Sequence, residues 1–275
     1  MSRESGRFTV LHLSDVHATE SGLLYDAVDG IGRMARVGDY ASAAGVTPEA
    51  VVVTGDLVQR GHTAAYPAVA DACRGLAEAM GAPVLTVLGN HDDPAAARAL
   101  PGHGERHYGS NTIDGFRIVR LDSHTGALDA EQTEWLAAEL AAPAEHGTVI
   151  ALHHAPLGSP LPALSRQGLA HPEALLGILE RSDTRAILAG HFHHPLTASV
   201  RGIPVFVAPS LAYQQVMNAG PHAVAGHDAP MFSLVQFTGE GVTSTAVPLA
   251  APDPLFTRPL DPPLFHSRQK ANHVS

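Results

Sequence analysis

Several stretches of this chain run through four to seven apolar residues and then stop at a small residue followed by an acid, an amide or a histidine. The clearest are "AVVVTGD" (50–56), "PVLTVLGNH" (83–91), "TVIALHH" (148–154) and "AILAGHFHH" (186–194). With "FTVLHL" (8–13) and "FRIVRLD" (116–122), they read as strands, most of them buried, bounded by turn residues. Helical spacing fills several of the gaps. Asp26 to Ala44 sets Val28, Ile31, Met34 and Ala35 on one face, and Thr63 to Met80, Asp129 to Leu140 and Pro172 to Arg181 follow suit. Asp129 is the expected N-cap of its helix, and Pro172 stands in the first turn of the next.

The later part changes character. Residues 197–209 read as a hairpin around Arg201-Gly202, and 230–249 as another turning at Gly239-Glu240-Gly241. Alternating strands and helices followed by hairpins predict two packed sheets with helices outside. No internal repeat is present, so one domain over 1–250 is expected. Residues 251–275 hold five prolines without periodicity and read as a tail draped on the body.

Composition excludes some classes of function. Seventeen basic residues against 27 acidic give a net charge of −10, and Lys270 is the only lysine. The arginines are scattered, whereas a polynucleotide track needs clustered cations, so no nucleic-acid polymer is expected as partner. There is no run of eighteen apolar residues and no secretory pattern at the start. One cysteine, Cys73, fits a reducing compartment. A cytoplasmic protein is the expectation.

The polar residues that follow the apolar runs carry the chemistry. Asp15 and His17 come from "LSDVH", Asp56 from "TGDL", Asn90 and His91 from "LGNHDD", His153 from "ALHHAP", and His191 and His193 from "AGHFHH". Taken singly, each has an ordinary role as a cap, a turn former or a core histidine. Together they place carboxylates, imidazoles and one amide at strand ends, where α/β folds build ligand sites. That donor mix, free of thiolate, suits divalent Zn, Mn, Fe or Co. In extended chain, Asp15 and His17 face one side, as do His191 and His193. Each pair then reaches one ion together, or one ion each of a close pair. Gly55, Gly89 and Gly190 precede these candidates, where a small residue permits a sharp turn or close approach.

Read in order, Asp15-x-His17, Gly55-Asp56, Gly89-Asn90-His91-Asp92, His153 and Gly190-His191-x-His193 resemble the motif set of the calcineurin-like metallophosphoesterases. Within that group the chain is most similar to the bacterial class III cyclic-nucleotide phosphodiesterases, over roughly residues 8 to 250. The resemblance implies a four-layer α/β fold, an αββα sandwich of two mixed β-sheets flanked by helices. It implies two divalent ions, iron or manganese foremost, with zinc or cobalt also compatible. Asp15, His17 and His193 would hold one, Asn90, His153 and His191 the other, and Asp56 would bridge them. A metal-bridging hydroxide would attack the phosphorus, and His91 would protonate the leaving group.

The expected substrate is a small phosphodiester, 3′,5′-cyclic AMP or another cyclic nucleotide first. A glycerophosphodiester is the alternative within enzymes, and a metal-free scaffold of the same fold the alternative outside them; no expected ligand is missing. A purple acid phosphatase is disfavoured because Gln59 stands where that family has a tyrosine ligand. His194, His124 and Tyr213 are candidate substrate contacts. His12, inside the first strand, reads as a packing or supporting residue, and His154 abuts a ligand without matching a motif position. Family members are often dimeric, so a homodimer is compatible, with no interface legible in the sequence.

Overall fold

The computed structural model describes residues 6–220, 222–250 and 252–259. Its first sheet has five strands: β1 (Phe8–Leu13), β2 (Ala50–Thr54), β3 (Val84–Val87), β12 (Met231–Phe237) and β13 (Val242–Pro248), in the order β13-β12-β1-β2-β3. The second has six: β4 (Gly109–Ile113), β5 (Phe116–Arg120), β6 (Thr148–Ala151), β7 (Thr184–Ala189), β8 (Leu196–Val200) and β9 (Ile203–Val207), in the order β4-β5-β6-β7-β9-β8. Both sheets are mixed. β1, β2 and β3 run parallel, as do β5, β6, β7 and β9, and the hairpin partners lie antiparallel. A short ribbon, β10 (Gln214–Gln215) with β11 (Gly226–His227), stands apart.

The central strands are apolar throughout because each face has something to bury. Phe8, Val10, Ala50 and Val52 meet Phe116, Ile118, Val149, Ala151, Ala186 and Leu188 between the sheets. Phe8 and Phe116 stack there with ring centroids 4.3 Å apart. The alternate residues Leu11, Leu13, Val51 and Val53 pack outward onto α1 (Gly30–Ala43) and α2 (Tyr66–Met80). On the other side Val119, Ile150, Ile187 and Val205 pack onto α4 (Ala130–Glu139) and α5 (Glu173–Leu179). Each fully buried Val, Leu or Phe contributes about 1.5–3 kcal/mol. The result is the expected helix–sheet–sheet–helix sandwich, with α3 (Pro94–Ala97) a single turn after β3.

Some boundaries differ from the sequence reading. The first helix starts at Gly30 rather than Asp26, because Tyr25 and Asp26 adopt positive φ (53° and 57°) in a turn that a Leu24–Val28 bridge closes. Asp29 is the N-cap, accepting from the Gly32 amide at 2.9 Å. The second opens with a 3₁₀ turn over 63–65, and the last shrinks to Glu173–Leu179. Asp129 caps α4 as expected. The two late hairpins turn where the sequence placed them. β4 was not anticipated, although Asp114-Gly115, with φ of 47° and 80°, is a strong two-residue hairpin signal. The tail expected over 251–275 lies mostly outside the described residues; 252–259 carry neither helix nor strand. Among the described residues, no helix is long and apolar enough to cross a membrane.

Candidate metal centre

β1, β2 and β3 of one sheet and β5, β6, β7 and β9 of the other end at one edge of the sandwich. The candidate residues stand in the loops just past those ends, not in the strands. β2 stops at Thr54, β3 at Val87, β6 at Ala151 and β7 at Ala189, each two or three residues before the first candidate. The expected extended geometry at these residues is also corrected. Asp15, His17, Asp56, His191 and His193 all have φ between 48° and 74°, a left-handed backbone that non-glycine residues rarely adopt. Such conformations cost roughly 1–3 kcal/mol each and persist only where surroundings over-determine them. Here backbone hydrogen bonds tie loop to loop: Asp15 N to Gly55 O at 3.0 Å, His17 N to Asp56 O at 2.8 Å, and Gly190 N to His153 O at 3.0 Å.

The three glycines permit this crowding. A Cβ on Gly89 would collide with the carboxylate and amide of Asp56, and one on Gly190 with the Ser14 hydroxyl. Gly55 combines φ of 88° with the His153 ring, whose Nδ1 would lie 2.5 Å from an added Cβ.

The loops bring seven candidate ligands together. His17 Nε2 lies 3.2 Å from His193 Nε2, and His193 Nε2 lies 3.2 Å from Asp15 Oδ1. His153 Nε2 lies 3.2 Å from both Asn90 Oδ1 and His191 Nδ1. Asp56 Oδ2 stands between the two groups, 3.5 Å from His17 Nε2 and 3.5 Å from His153 Nε2. The donor atoms of Asp15, His17, Asp56 and His193 form one compact set, and those of His153, His154 and His191 another.

The chemistry of these donors fits a cation. Nδ1 of His17 faces Gln59 Oε1 at 2.9 Å, Nδ1 of His153 faces the Thr54 carbonyl at 2.7 Å, and Nδ1 of His193 faces the Tyr213 carbonyl at 3.1 Å. Each oxygen can only accept, so each Nδ1 carries a hydrogen and each Nε2 is the atom turned to the centre, with a lone pair for a cation once it is deprotonated. On His193, burial is opposed by Asp15, which raises the ring above its usual value. Lone pairs 3.2 Å apart repel unless a cation lies between them, and two donors about 2.0–2.1 Å from one ion are separated by about that distance. Asp15 Oδ1 and His191 Nε2 are buried without a hydrogen bond among the described residues.

Burial lowers His17 and His191 to about 4, so both are neutral at pH 7, the form that binds metal. Burial opposes ionisation of the two acids, yet their neighbours prevail. His193 above all holds Asp15 below the usual range, and His153 and His17 hold Asp56 there.

His91 lies at the rim, half-buried, its ring 4.7 Å from that of His17. Its backbone amide donates to Asp56 Oδ1 at 2.8 Å, and its Nδ1 lies 3.1 Å from Gln59 Oε1. Asp92, in the same motif, turns inward. It accepts from the amides of Gly89, Leu57 and Val58 and from the Tyr66 hydroxyl, clamping the β2 and β3 loops together. His12 Nε2 bonds Thr54 Oγ1 at 3.0 Å behind the centre.

A match of the calcineurin-like phosphoesterase family model to residues 8–195 decides the family. The chain belongs to it. A Rhodococcus erythropolis protein named "Probable cyclic nucleotide phosphodiesterase" is 38% identical over 252 residues, 88% of this chain and 84% of the relative. A cAMP/cGMP dual specificity phosphodiesterase of Mycobacterium tuberculosis is 37% identical over 254 residues, 88% and 80% of the two chains. The crystal structure of a dimetal phosphatase from Danio rerio shares the fold, with a TM-score of 0.59 at 16% identity, covering 88% of this chain and 99% of that one.

Of the remaining candidates of this calcineurin-like phosphoesterase, Tyr213 stands beside the centre and His124 and His194 do not. The Tyr213 ring lies 4.2 Å from that of His193. His124 is held by Asp122 (Nδ1 to Oδ1, 2.8 Å) and lines a separate cavity of about 350 Å³ with His107 and Gln132. His194 stands apart from the cluster: its Nε2 faces Ser159 Oγ at 2.7 Å and its Nδ1 the Pro195 carbonyl at 3.2 Å, so both ring nitrogens are engaged in fastening a loop. Two residues gain a place that the motifs did not give them. Gln59 accepts from two histidines of the site, and the His154 ring lies 4.4 Å from that of His191 at 45°, with its backbone amide and Nδ1 on Ser123 Oγ.

Proposed function

We propose that the chain is a metal-dependent phosphodiesterase that hydrolyses 3′,5′-cyclic nucleotides, cyclic AMP foremost, at a centre of two divalent ions. The observation that carries this reading is Asp56 Oδ2, equidistant at 3.5 Å from a histidine of each donor group. Asp15, His17 and His193 would hold one ion, Asn90, His153 and His191 the other, and Asp56 both. Iron and manganese are favoured, and the donors are compatible with zinc or cobalt. When bound, the ions supply Lewis acidity toward phosphoryl oxygens and a nucleophile available at neutral pH.

The chain's own residues do the rest. Two carboxylates against two dications leave net positive charge, which attracts a phosphodiester to an otherwise acidic protein. Gln59 holds the Nδ1 hydrogen of His91, so the second proton of the imidazolium form sits on Nε2. That Nε2–H would pass to the departing alkoxide and leave the neutral ring, and burial, by lowering His91 below its usual value, makes it a readier donor. The names of the two bacterial relatives support cyclic nucleotides as the substrate class. A steady-state screen of the Mn²⁺-loaded protein against cyclic AMP, cyclic GMP, a glycerophosphodiester and a phosphomonoester tests the reading. The highest kcat/KM belongs to a cyclic nucleotide. A higher value on the monoester or the glycerophosphodiester overturns it.

A further inference from the structure

Beside the metal centre lies a cavity of about 440 Å³, walled by residues of two stretches, 25–28 and 213–228. Tyr213 belongs to both sites. It lines the cavity, and its ring is 4.2 Å from the ring of His193. Gln215 is tied to the same histidine through the main chain, its backbone amide donating to the His193 carbonyl at 2.8 Å. The far wall is the β10–β11 ribbon, where a Cβ on Gly226 would press on the Tyr213 ring at 2.5 Å. Arg33 of α1 fastens that wall by bonding Asp228 Oδ1 at 2.6 Å and the carbonyls of Leu211 and Ala212.

Two features of the cavity bear on a ligand. The turn that gives Tyr25 its φ of 53° also leaves the residue 70% exposed at the cavity mouth. Its ring meets the ring of Tyr213 edge to face, with centroids 5.8 Å apart at 67°. Gln215 Oε1 is buried and has no hydrogen-bond partner among the described residues. A buried acceptor left unmatched is costly, and a turn of the Gln215 side chain toward the cavity it lines would bring this oxygen to a ligand's donor.

We propose that this cavity binds the nucleobase of the substrate, with the edge-to-face pair Tyr25 and Tyr213 as its aromatic wall and Gln215 Oε1 accepting from an exocyclic amino group, as on adenine. The assignment rests on the cyclic-nucleotide reading above. Aromatic rings accept any base by stacking, whereas an amide discriminates by its hydrogen bonds; glutamine matches adenine at its amino group. One ribose separates base from phosphate, and Tyr213, reaching from the cavity to His193, spans the corresponding gap.

Three substrates separate the contributions: cyclic AMP, the cyclic monophosphate of purine riboside, which lacks the amino group, and the abasic 1-deoxyribose 3′,5′-cyclic phosphate. In the wild type, kcat/KM falls about tenfold or more when the amino group is removed, and again when the base is removed. Gln215→Leu erases the first step and Tyr25→Ala shrinks the second. Calorimetric titration with AMP reads the same subsite without turnover, and Tyr25→Ala weakens binding about tenfold. Equal kcat/KM for all three substrates in the wild type overturns the assignment. So does a loss in either variant that is as large on the abasic ring as on cyclic AMP, which marks a structural role. A wild type that hydrolyses the abasic ring but neither hydrolyses cyclic AMP nor binds AMP overturns the cyclic-nucleotide reading and the base subsite with it.

Discussion

The side-chain oxygen of Gln59 lies 2.9 Å from Nδ1 of His17 and, with its second lone pair, 3.1 Å from Nδ1 of His91. One amide thereby fixes the tautomer of a candidate metal ligand and of the candidate acid. A phenol at this position would have no carbonyl-type oxygen to accept from both rings, so Gln59 distinguishes this site chemically from one with a tyrosine ligand.

Gln59→Leu therefore lowers affinity for Mn²⁺ by about 10–100-fold, the usual cost of losing a partner behind a metal-bound histidine. Gln59→Glu keeps an acceptor and retains affinity. Calorimetric titration of the metal-stripped proteins decides; equal affinity in Gln59→Leu and wild type contradicts the role.

Asp56 Oδ2 lies 3.5 Å from a histidine of each donor group, and the proposed bridging role predicts that Asp56→Ala loses most of the bound metal rather than half of it. Elemental analysis after gel filtration measures this directly. Full occupancy in the variant rules out the bridging assignment.

His91 touches Asp56 only through its backbone amide, so replacing its side chain leaves the ligands in place. His91→Ala keeps its metal but hydrolyses cyclic AMP about 10²–10⁴-fold more slowly. Bis(p-nitrophenyl) phosphate suffers less, because nitrophenolate departs without a proton. Equal slowing of both substrates argues against proton delivery.

Gly190 lets the β7 loop lie against the β1 and β2 loops. In Gly190→Ala the new methyl collides with the Ser14 hydroxyl and comes within 2.8 Å of the Thr54 carbonyl and 3.0 Å of Asp15 Oδ2. Overpacking of this kind costs about 1–3 kcal/mol. Urea denaturation shows that loss, and adding Ser14→Ala recovers only part of it, since the carbonyl contact remains. Complete recovery would place the whole conflict at the hydroxyl.

Val51 and Val53 face helices while Val52 faces the other sheet, and such doubly buried strands leave uninterrupted apolar runs that are legible in sequence. The candidate ligands that the loops bring together were legible for a related reason, each following such a run by a few residues. β4, "GSNTI", hides because it is half exposed and carries no apolar alternation. Likewise, nothing local marks 214–215 and 226–227 as a ribbon, whose pairing is set by the loop around it. The left-handed backbone of Asp15, His17, Asp56, His191 and His193 was also illegible. It arises from hydrogen bonds between loops distant in sequence, and although Asp and His tolerate positive φ better than most residues, nothing local requires it. The same holds for His194, whose neighbour in sequence is a candidate ligand but whose partner in space is Ser159.

His103 gives stability a pH dependence separate from the metal centre. It is fully buried, with Nε2 2.8 Å from Thr86 Oγ1 and Nδ1 3.2 Å from His107 Nδ1, and burial, aided by Arg120, lowers it from 6.5 to about 4. The unfolded chain binds this proton near pH 6.5 and the folded chain only near pH 4. Its contribution is therefore intact above pH 6.5 and declines as pH falls toward 4. At pH 5 the loss reaches about 2 kcal/mol relative to pH 8. His103→Gln abolishes that titration, so the difference in unfolding free energy between pH 8 and pH 5 shrinks by about 2 kcal/mol, whatever the variant's stability at pH 8. Denaturant curves of the metal-free proteins at the two pH values provide the measurement, and an unchanged difference shows that His103 does not titrate in this window.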